Sequence, residues 1–496
     1  MEEVGLSRSE MMKFWQEHSH DASVEEMMLD SSALLLTQHE LPEIMGLLPN
    51  LQGTRLLELG AGIGRFTHHF AQYADHVTAV DFMEKFVEKN KQDNSHHRNV
   101  DFIHSDVTQL NFSKNSFGFI FSNWLMMYLS NEELVSLVKN MLLWLQPGGY
   151  LFFRESCFYQ AGDGKRDFDP THFRSPAEYN HLMTSALQKE MGEGGEQAFG
   201  FEVVMSKSVQ TYIKMKNNPN QVCWLMQKVP RSECHKGFNT FQDFLDNQQY
   251  SRRGILRYEK IFGNGYVSTG GPSTTKEFVD LLNLSPGQIV LDVGCGIGGG
   301  DFYMARTFGV KVLGMDLSSN MVEIATERAM KENLPSVQFE VGDATRRVFK
   351  EGSFDVIYSR DTILHIADKL KLFKSFYSWL KPGGKVLISD YCCGEMPWSP
   401  EFQEYVKQRG YILFTPPQYG KFLEQAGFSR VRAEDRTSQF IQVVRIELEK
   451  AEAIREEYIK EFSEEDYNAI VTGWNENLQR CTTGDQRWGL FYADRD

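Results

Sequence analysis

The chain has 496 residues, of which 41% are hydrophobic and 24% are charged, and its formal net charge is −15. This length predicts at least two domains, and the acidity argues against non-specific nucleic-acid binding, which requires a basic face. The sequence contains no apolar run of membrane-spanning length, and its acidic N-terminal segment fits neither a signal peptide nor a transit peptide. The seven cysteines lack paired metal-binding spacing, so we expect a reduced, cytoplasmic protein.

In chain order, short apolar runs alternate with helical patterns, and the whole order occurs twice. The first half contains TRLLELGAGIGRF, VTAVDF, FIHSDVTQL, FSNWLMMYL and WLQPGGYLFF. About 235 residues later the second half contains QIVLDVGCGIGGG, VLGMDL, FEVGDATRR, YSRDTILHI and WLKPGGKVLI. Alternating strands and helices predict a parallel, doubly wound sheet. We expect an α/β protein with two tandem Rossmann-like domains and helical caps, spanning 1–229 and 241–496 around a linker at 230–240.

A glycine-rich turn follows the first predicted strand of each half. The turns contain Gly60 and Gly294 in the spacing G-x-G-x-G, which alone is a weak signal because a tight strand-to-helix turn needs the same residues. An acidic residue, Asp81 or Asp316, ends the next strand about 20 residues on, where a carboxylate can bind the hydroxyls of a ribose. The context therefore indicates a nucleoside-containing cofactor in each half.

A third carboxylate ends the following strand of each half, at Asp106 and Asp343, where it could accept a hydrogen bond from an adenine amino group. The turns begin with Glu58 and Asp292, which disfavour a pyrophosphate and suit an amino-acid ammonium group. This block order resembles the class I S-adenosylmethionine-dependent methyltransferases. A nicotinamide dehydrogenase, the alternative at this point, explains neither the third carboxylate nor the Pro-Gly-Gly block.

The resemblance implies a set of cofactor contacts in each half, with the first turn also supplying an arginine for the methionine carboxylate. The expected contacts are Gly60, Arg65, Asp81, Asp106, Val107 and Asn123, and then Val267, Ser268, Gly294, Asp316, Asp343, Ala344 and Arg360.

The second half carries further motifs: DNQQYSRRGILRYEKIFGNGYVSTGG, YSRDTILHI, SDYCC, EYVKQRGY and QRWGLF. Together they closely resemble the phosphoethanolamine N-methyltransferases, which build phosphocholine by three successive methylations. The tandem arrangement resembles the two-domain members, and the resemblance is strongest from Phe241 onward. It implies S-adenosylmethionine as methyl donor, S-adenosylhomocysteine as product, no metal, and small phosphobase substrates. We expect a monomer whose first domain favours the first methylation and whose second domain favours the later ones.

The substrate joins a phosphate, which needs cations and hydroxyl donors, to an ammonium with a pKa of about 10, which must lose a proton before it attacks. If the segment YSRDTILHI turns into a helix, Asp361 and His365 lie on one face. By resemblance, His365 pairs with Tyr250 and closes the site, while Asp361 orients or deprotonates the amine. A structural histidine and a helix N-cap are the alternatives. The expected substrate contacts are Gln249, Tyr250, Tyr258, Tyr391, Arg409 and Tyr411.

One position departs from the family pattern near the C-terminus. Family members often have a lysine three residues after the tryptophan of a Gly-Trp pair, and this chain has Asn477 at that spacing from Trp474. Either Arg480 takes the place of the lysine or the phosphate is held less tightly.

The first half lacks both residues proposed for proton removal. Asn123, Trp124 and Tyr128 stand where the second half has Arg360, Asp361 and His365. Trp124 either faces the substrate ammonium through a cation–π contact or packs in the core. The segment after the last strand of the repeat is rich in cations and hydroxyls, and its candidate phosphate contacts are Ser156, Gly162, Arg166 and Arg174.

Two other functions stay open at this point. The chain could methylate a different small molecule, such as a sterol or an amino acid, although the segment around Arg409 and Tyr411 suits a phosphate better than a sterol. The first domain could instead bind the cofactor without catalysing a reaction.

Overall fold

The computed structural model describes residues 8–163, 168–192, 195–231, 238 and 240–496. The chain forms two compact units, Met1–Phe241 and Gln242–Asp496. No helix in the described ranges is both long and apolar enough to cross a membrane.

The first unit contains eight described helices and eight described strands. The helices are α1 (Arg8–Glu17), α2 (Val24–Met28), α3 (Ala33–Met45), α4 (Thr67–Tyr73), α5 (Glu84–Asn94), α6 (Asn131–Trp144), α7 (Pro176–Ser185) and α8 (Gln210–Lys216). The strands are β1 (Arg55–Leu59), β2 (His76–Asp81), β3 (Val100–His104), β4 (Phe117–Asn123), β5 (Leu145–Ser156), β6 (Gln188–Gly192), β7 (Gly195–Ser208) and β8 (Gln221–Pro230). Single 3₁₀ turns span Val107–Gln109 and Met126–Tyr128.

The sheet of the first unit has the order β3-β2-β1-β4-β5-β8-β7. Its first five strands are parallel, whereas β8 runs antiparallel to β5 and β7 antiparallel to β8. Strand β6 pairs antiparallel with the N-terminal part of β7. Leu56, Leu57 and Leu59 of β1 are fully buried, because helices cover both faces of a parallel sheet.

The second unit repeats this design after a short helix at the boundary. Its helices are α9 (Phe241–Phe244), α10 (Arg252–Phe262), α11 (Gly271–Asp280), α12 (Gly299–Phe308), α13 (Ser319–Lys331), α14 (Lys369–Trp379), α15 (Pro400–Arg409), α16 (Pro416–Gln425), α17 (Thr437–Ala453), α18 (Arg455–Glu461) and α19 (Glu464–Thr483). Its strands are β9 (Ile289–Val293), β10 (Lys311–Asp316), β11 (Val337–Gly342), β12 (Phe354–Arg360), β13 (Leu380–Cys393), β14 (Ser429–Asp435) and β15 (Gln486–Asp494). A π-helical turn spans Leu245–Gln249 and a 3₁₀ turn Ile363–His365.

The sheet of the second unit has the order β11-β10-β9-β12-β13-β15-β14. Strands β9 to β13 are parallel, and β15 and β14 close the sheet in antiparallel fashion. The two sheets therefore share one strand order, and the predicted pair of Rossmann-like domains is confirmed.

The glycine turns lie at the carboxyl ends of the central strands. Gly60 has φ +72° and Gly294 has φ +83°, a left-handed conformation that glycine adopts without strain. A Cβ atom on Gly294 would lie 1.9 Å from Thr362 Oγ1, so the neighbouring chain also excludes a side chain there. Both turns bring backbone close to the strand ends where the candidate site residues lie.

Candidate active sites

The carboxylates that end β2 and β10 are each fixed by two backbone donors, one from the glycine turn and one from the residue two positions after the aspartate. Asp81 accepts hydrogen bonds from the N–H groups of Gly62 and Met83, each at 2.8 Å. Asp316 accepts from Gly296 and Ser318, each at 2.9 Å. Burial raises the pKa of both carboxyls, that of Asp316 to about 6, although the backbone donors oppose the rise. Each carboxylate is thus oriented at the edge of the sheet before any ligand binds.

The third carboxylate is also built alike in the two units. Asp106 Oδ1 accepts the backbone N–H of Thr108 at 2.8 Å and its hydroxyl at 2.7 Å. Asp343 Oδ1 accepts the same two groups of Thr345, at 2.8 and 2.6 Å. Each bond pattern holds the aspartate at the start of a turn, and the following residue, Val107 in the first unit, is buried.

A cavity in the first unit unites most of the residues predicted to bind there. It encloses about 1200 Å³ of empty space, part of it open to solvent. Among its lining residues are Gly60, Arg65, Asp81, Asp106, Val107, Asn123, Trp124, Tyr128, Ser156 and Gly162. Glu58 also lines the cavity, and burial raises the pKa of its carboxyl to about 8.

Arg65 lines this cavity and forms an ion pair with Glu40. Its Nη1 donates to Glu40 Oε1 at 2.7 Å and to Thr37 Oγ1 at 2.8 Å. Its Nη2 is buried without a hydrogen-bond partner among the residues that the structure describes. A buried guanidinium nitrogen left open at a cavity suits an anionic group such as a ligand carboxylate.

Glu40 of α3 links two arginines in the first unit, a role that no motif of the sequence indicates. Its Oε2 accepts from Arg154 Nη2 at 2.9 Å, while its Oε1 accepts from Arg65. Burial alone would raise the pKa of Glu40, but Arg154 and Arg65 outweigh it and lower that pKa. Because α3 precedes the repeated blocks, no comparison of the two halves could reveal it.

Trp124 and Asp361 occupy one structural position, directly after β4 and β12. Both have left-handed backbone, with φ +54° and φ +51°, which is uncommon for residues other than glycine. The backbone N–H of each donates at 2.8 Å to the neighbouring strand, at the carbonyls of Arg154 and Ser389. Asp361 is therefore not a helix N-cap; that place before the 3₁₀ turn belongs to Thr362.

The two carboxylate oxygens of Asp361 have different surroundings. Oδ1 accepts the indole N–H of Trp488 at 2.8 Å and the hydroxyl of Ser389 at 3.3 Å. Oδ2 is buried, lies 3.9 Å from Arg360 Nη2, and has no hydrogen-bond partner in the described part of the chain. Burial raises the pKa of this carboxyl, against the lowering effect of Arg360.

Each unit has one arginine at this pair of strand ends, but on different strands. In the second unit Arg360 ends β12, and its Nε lies 3.3 Å from Ser389 Oγ of β13. In the first unit Asn123 ends β4, and Arg154 of β5 donates its Nε to Asn123 Oδ1 at 2.7 Å. Between the two units, the arginine and its polar partner have therefore exchanged strands.

Arg360 fixes the segment before α11, where two more cofactor contacts were predicted. Its Nη2 donates to the carbonyl of Thr269 at 2.6 Å and its Nη1 to Thr275 Oγ1 at 2.9 Å. Ser268 and Val267 directly precede Thr269, and a Cβ atom on Gly296 would lie 2.8 Å from Val267. Val267 thus lies beside the second glycine turn, and Ser268 is the next residue in the chain. Ala344 packs at the edge of the second unit's core.

His365 ends a single 3₁₀ turn, so the prediction that it shares a helix face with Asp361 is wrong. Burial, together with Lys369 and Arg409, lowers the pKa of His365 to about 4. Its ring packs edge-on against Tyr411, with centroids 5.2 Å apart. The predicted pairing of His365 with Tyr250 stays a prediction; the Tyr250 hydroxyl accepts from Gln249 Nε2 at 3.1 Å.

Arg409, the last residue of α15, lies among tyrosines. Burial would lower the pKa of Arg409, but Tyr411, Tyr405, Tyr258 and Tyr250 together raise it. These include three of the predicted substrate contacts. The sixth candidate, Tyr391, is placed beside the loop before α11, its hydroxyl 3.4 Å from Thr269 Oγ1.

Arg480 lies against the same tyrosine group. Its guanidinium stacks over the ring of Tyr405 at 3.8 Å, and Arg409 lies 5.9 Å from that ring. Arg480 Nη2 donates to Asn477 Oδ1 at 2.5 Å and Nε to Gln486 Oε1 at 2.9 Å. Asn477, which stands where family members often have a lysine, thus holds Arg480 beside the predicted phosphate contacts.

Two expectations for the first unit need revision, and a third falls on a residue that the structure does not describe. The Trp124 ring already has a cation over it, since Arg154 lies 3.6 Å from its centroid, and its N–H donates to Gln221 Oε1 at 2.8 Å. Arg174 is buried and donates to the carbonyls of Met126 and Leu129, so it holds a turn and is not among the cavity-lining residues. Arg166 lies outside the described residues.

Comparisons with known proteins agree with this architecture. A family model described as methyltransferase domain matches residues 56–149 and 290–384. Phosphoethanolamine N-methyltransferase 3 of Arabidopsis thaliana is 52% identical over 498 residues, covering 100% of both chains. The Triticum aestivum phosphoethanolamine N-methyltransferase is 52% identical over 98% of this chain and 95% of its own length.

A solved structure is similar over nearly the whole chain. Haemonchus contortus phosphoethanolamine N-methyltransferase 2, in complex with phosphomonomethylethanolamine and S-adenosylhomocysteine, is 27% identical with a TM-score of 0.74. The match covers 93% of this chain and 99% of that one. The chain is therefore an N-methyltransferase that belongs to the phosphoethanolamine N-methyltransferase family.

Proposed function

We propose that the chain methylates phosphoethanolamine three times, through mono- and dimethyl intermediates, to give phosphocholine. In this proposal the first unit favours the first step and the second unit the later steps. The observation that supports it is that the candidate cofactor residues are arranged alike in the two units, whereas the residues directly after β4 and β12 differ. Asp361, with one buried oxygen open, stands in the second unit, and Trp124 in the first.

The residues present fit S-adenosylmethionine, which supplies a methyl group on a sulfonium when bound. In the first unit Asp81 would bind the ribose hydroxyls, Asp106 and Val107 the adenine, and the open nitrogen of Arg65 the methionine carboxylate. In the second unit the same contacts would come from Val267, Ser268, Gly294, Asp316, Asp343, Ala344 and Arg360.

Asp361 is the group proposed to remove the proton in the second unit. Trp488 and Ser389 hold its Oδ1, so Oδ2 is the oxygen left to accept a proton from the substrate ammonium. A carboxyl whose pKa is raised by burial is a better proton acceptor than an exposed one. His365, whose low pKa keeps it neutral near pH 7, would close the site with Tyr250.

The phosphate would bind between the arginines and tyrosines of the second unit. Arg409 and Arg480 flank Tyr405, and charge-assisted hydrogen bonds from guanidinium groups are the strong contacts of a phosphate monoester. The hydroxyl and amide donors proposed with them are Gln249, Tyr250, Tyr258, Tyr391 and Tyr411. In the first unit Ser156 and Gly162 line the cavity and would serve the phosphate there.

We also propose that the protein acts as a monomer in the cytoplasm. The support for the compartment is that the described cysteines are all buried and that none of them forms a disulfide bond with another described residue, as expected in a reducing compartment.

Product analysis of two single-site variants of the full chain tests the division of steps. Asp361→Asn should methylate phosphoethanolamine once and slow the later steps by about 10²–10⁴-fold, the usual contribution of a general base. Asp81→Asn should slow the first step and still convert phosphomonomethylethanolamine. The control Asp280→Asn, at an exposed position on α11, should behave as the unchanged protein.

Other outcomes separate the alternatives. If Asp81→Asn loses one of two S-adenosylmethionine sites while phosphoethanolamine turnover is unchanged, the first unit is a non-catalytic module. If the unchanged protein methylates none of the three phosphobases, its substrate is another small amine.

A further inference from the structure

Three histidines of the first unit come together outside the cavity. His68 lies on α4, and His96 and His97 lie in the loop that follows α5. One ligand nitrogen from each lies within 4.8 Å of the others. None of the three is among the residues that line the cavity described above.

We propose that His68, His96 and His97 form a binding site for one divalent transition-metal ion of the Zn²⁺ type. His68 Nδ1 and His97 Nε2 are hydrogen-bonded at 3.1 Å, and the ion would replace the proton they share. Two imidazole nitrogens on one tetrahedral Zn²⁺, each bonded at about 2.0–2.1 Å, lie about 3.3 Å apart. The spacing of this pair is thus already close to that of two ligands of one ion.

The backbone around the three histidines is held by hydrogen bonds. The side-chain amide of Asn99 donates to the carbonyls of Ala71 and Ala74, at 3.0 and 3.1 Å, which fastens the loop to the end of α4. The backbone N–H of His97 donates to the carbonyl of Asn94 at 3.0 Å. Two separate segments are therefore fixed against each other at the place where the imidazoles converge.

A partner for the outer nitrogen of His68 is also present. The Gln72 side-chain amide lies 2.9 Å from His68 Nε2. With its amide oxygen turned toward the ring, Gln72 accepts the Nε2–H and leaves Nδ1 free for the ion, as partners of metal-bound histidines do.

The ligand set selects the class of ion. Three imidazoles suit Zn²⁺, Co²⁺, Ni²⁺ or Cu²⁺, whereas Mg²⁺ and Ca²⁺ require oxygen ligands. A water would complete the tetrahedron, since His96 is exposed. The second unit's loop 332–336 contains no histidine, so the proposal gives one such ion per chain. The site is separate from methyl transfer and would stabilise the first unit by joining α4 to the loop after α5.

Metal titration of the full chain tests the site. The protein, freed of any affinity tag and treated with a chelator, is titrated with Zn²⁺ by calorimetry and with Co²⁺ by visible absorption. We expect one ion per chain, a tetrahedral Co²⁺ spectrum, and a melting temperature raised by about 5 °C at saturating Zn²⁺. His96→Gln, at an exposed position, and His68→Gln should each weaken Zn²⁺ binding at least about tenfold.

The matched control is His181→Gln, which changes an exposed histidine on α7 and should bind Zn²⁺ as the unchanged protein does. Equal Zn²⁺ affinity and stoichiometry in His96→Gln, His68→Gln and the unchanged protein would overturn the proposal, as would the lack of saturable binding. Because none of these readouts involves phosphobases, they are independent of the proposed methyl transfer.

Discussion

The indole N–H of Trp488 donates to Asp361 Oδ1 at 2.8 Å, and the first unit contains the same bond with donor and acceptor exchanged. There Trp124, at the position of Asp361, donates its indole N–H to Gln221 Oε1 at 2.8 Å. Gln221 and Trp488 are equivalent in register: Gln221 of β8 pairs with Ser156 of β5, and Trp488 of β15 pairs with Tyr391 of β13. Both units thus orient the side chain at this strand end through one indole hydrogen bond.

Trp488→Phe removes the donor and keeps an aromatic ring. The bond stabilises the ionised form of Asp361, so its loss should raise further a pKa that burial already raises. Because the proposed base acts when ionised, activity is lost as the pH falls through that pKa. The acid limb of kcat/KM for phosphomonomethylethanolamine should therefore move to higher pH. Trp379→Phe, in the core of the same unit, is the control, and an unmoved acid limb in Trp488→Phe would contradict the role of the bond.

Arg480→Ala should weaken substrate binding in the second unit and leave cofactor binding intact. A lost charged hydrogen bond costs about 1.5–3 kcal/mol, so we expect KM for phosphomonomethylethanolamine to rise about 10–100-fold. Asn477→Ala, which releases the guanidinium from its 2.5 Å bond, should cause a smaller rise. The exposed Arg445→Ala on α17 is the charge-matched control. A KM unaffected by Arg480→Ala would show that this arginine only packs on Tyr405.

Glu40→Gln should destabilise the first unit. The change leaves Arg65 and Arg154 buried without their shared carboxylate, and breaking a buried pair costs about 3–5 kcal/mol. In calorimetry of the full chain, one melting transition should fall by about 5–10 °C. Glu88→Gln, at an exposed position on α5, should leave both transitions within about 1 °C. Equal melting of the two variants would mean that the arginines find other partners.

The fold was predictable because its signals are local and occur twice. Strand, glycine turn, helix and acid follow one another within about 25 residues, and the duplication excludes chance. The same proximity explains why Gly60, Asp81 and Asp106 were found together with their counterparts. In the first unit the cavity indeed brings these three residues to one place.

The residues that the sequence did not reveal act across long chain separations. Trp488 reaches Asp361 from 127 positions away, and Glu40 reaches Arg154 from 114. Such pairs depend on the register of antiparallel strands and on helix docking, which no short motif encodes. Gln221 was missed for the same reason, although QRWGLF was noted as a motif around Trp488.

The errors have local physical causes. The helical spacing of Asp361 and His365 suggested one face, but tertiary contacts impose positive φ at Asp361 and allow only a short 3₁₀ turn. Arg174 was chosen for its charge, yet its donors complete the backbone of a turn. Charge alone does not distinguish a ligand contact from a structural clamp.

The exchange of arginine and its partner between adjacent strands constrains how one copy can change into the other. Asn123→Arg alone would place a second guanidinium beside buried Arg154, and Arg154→Ser alone would leave Glu40 with a single cation. Either order of substitution passes through a less stable chain. Grafting the strand-end chemistry of one unit onto the other will therefore require both replacements together.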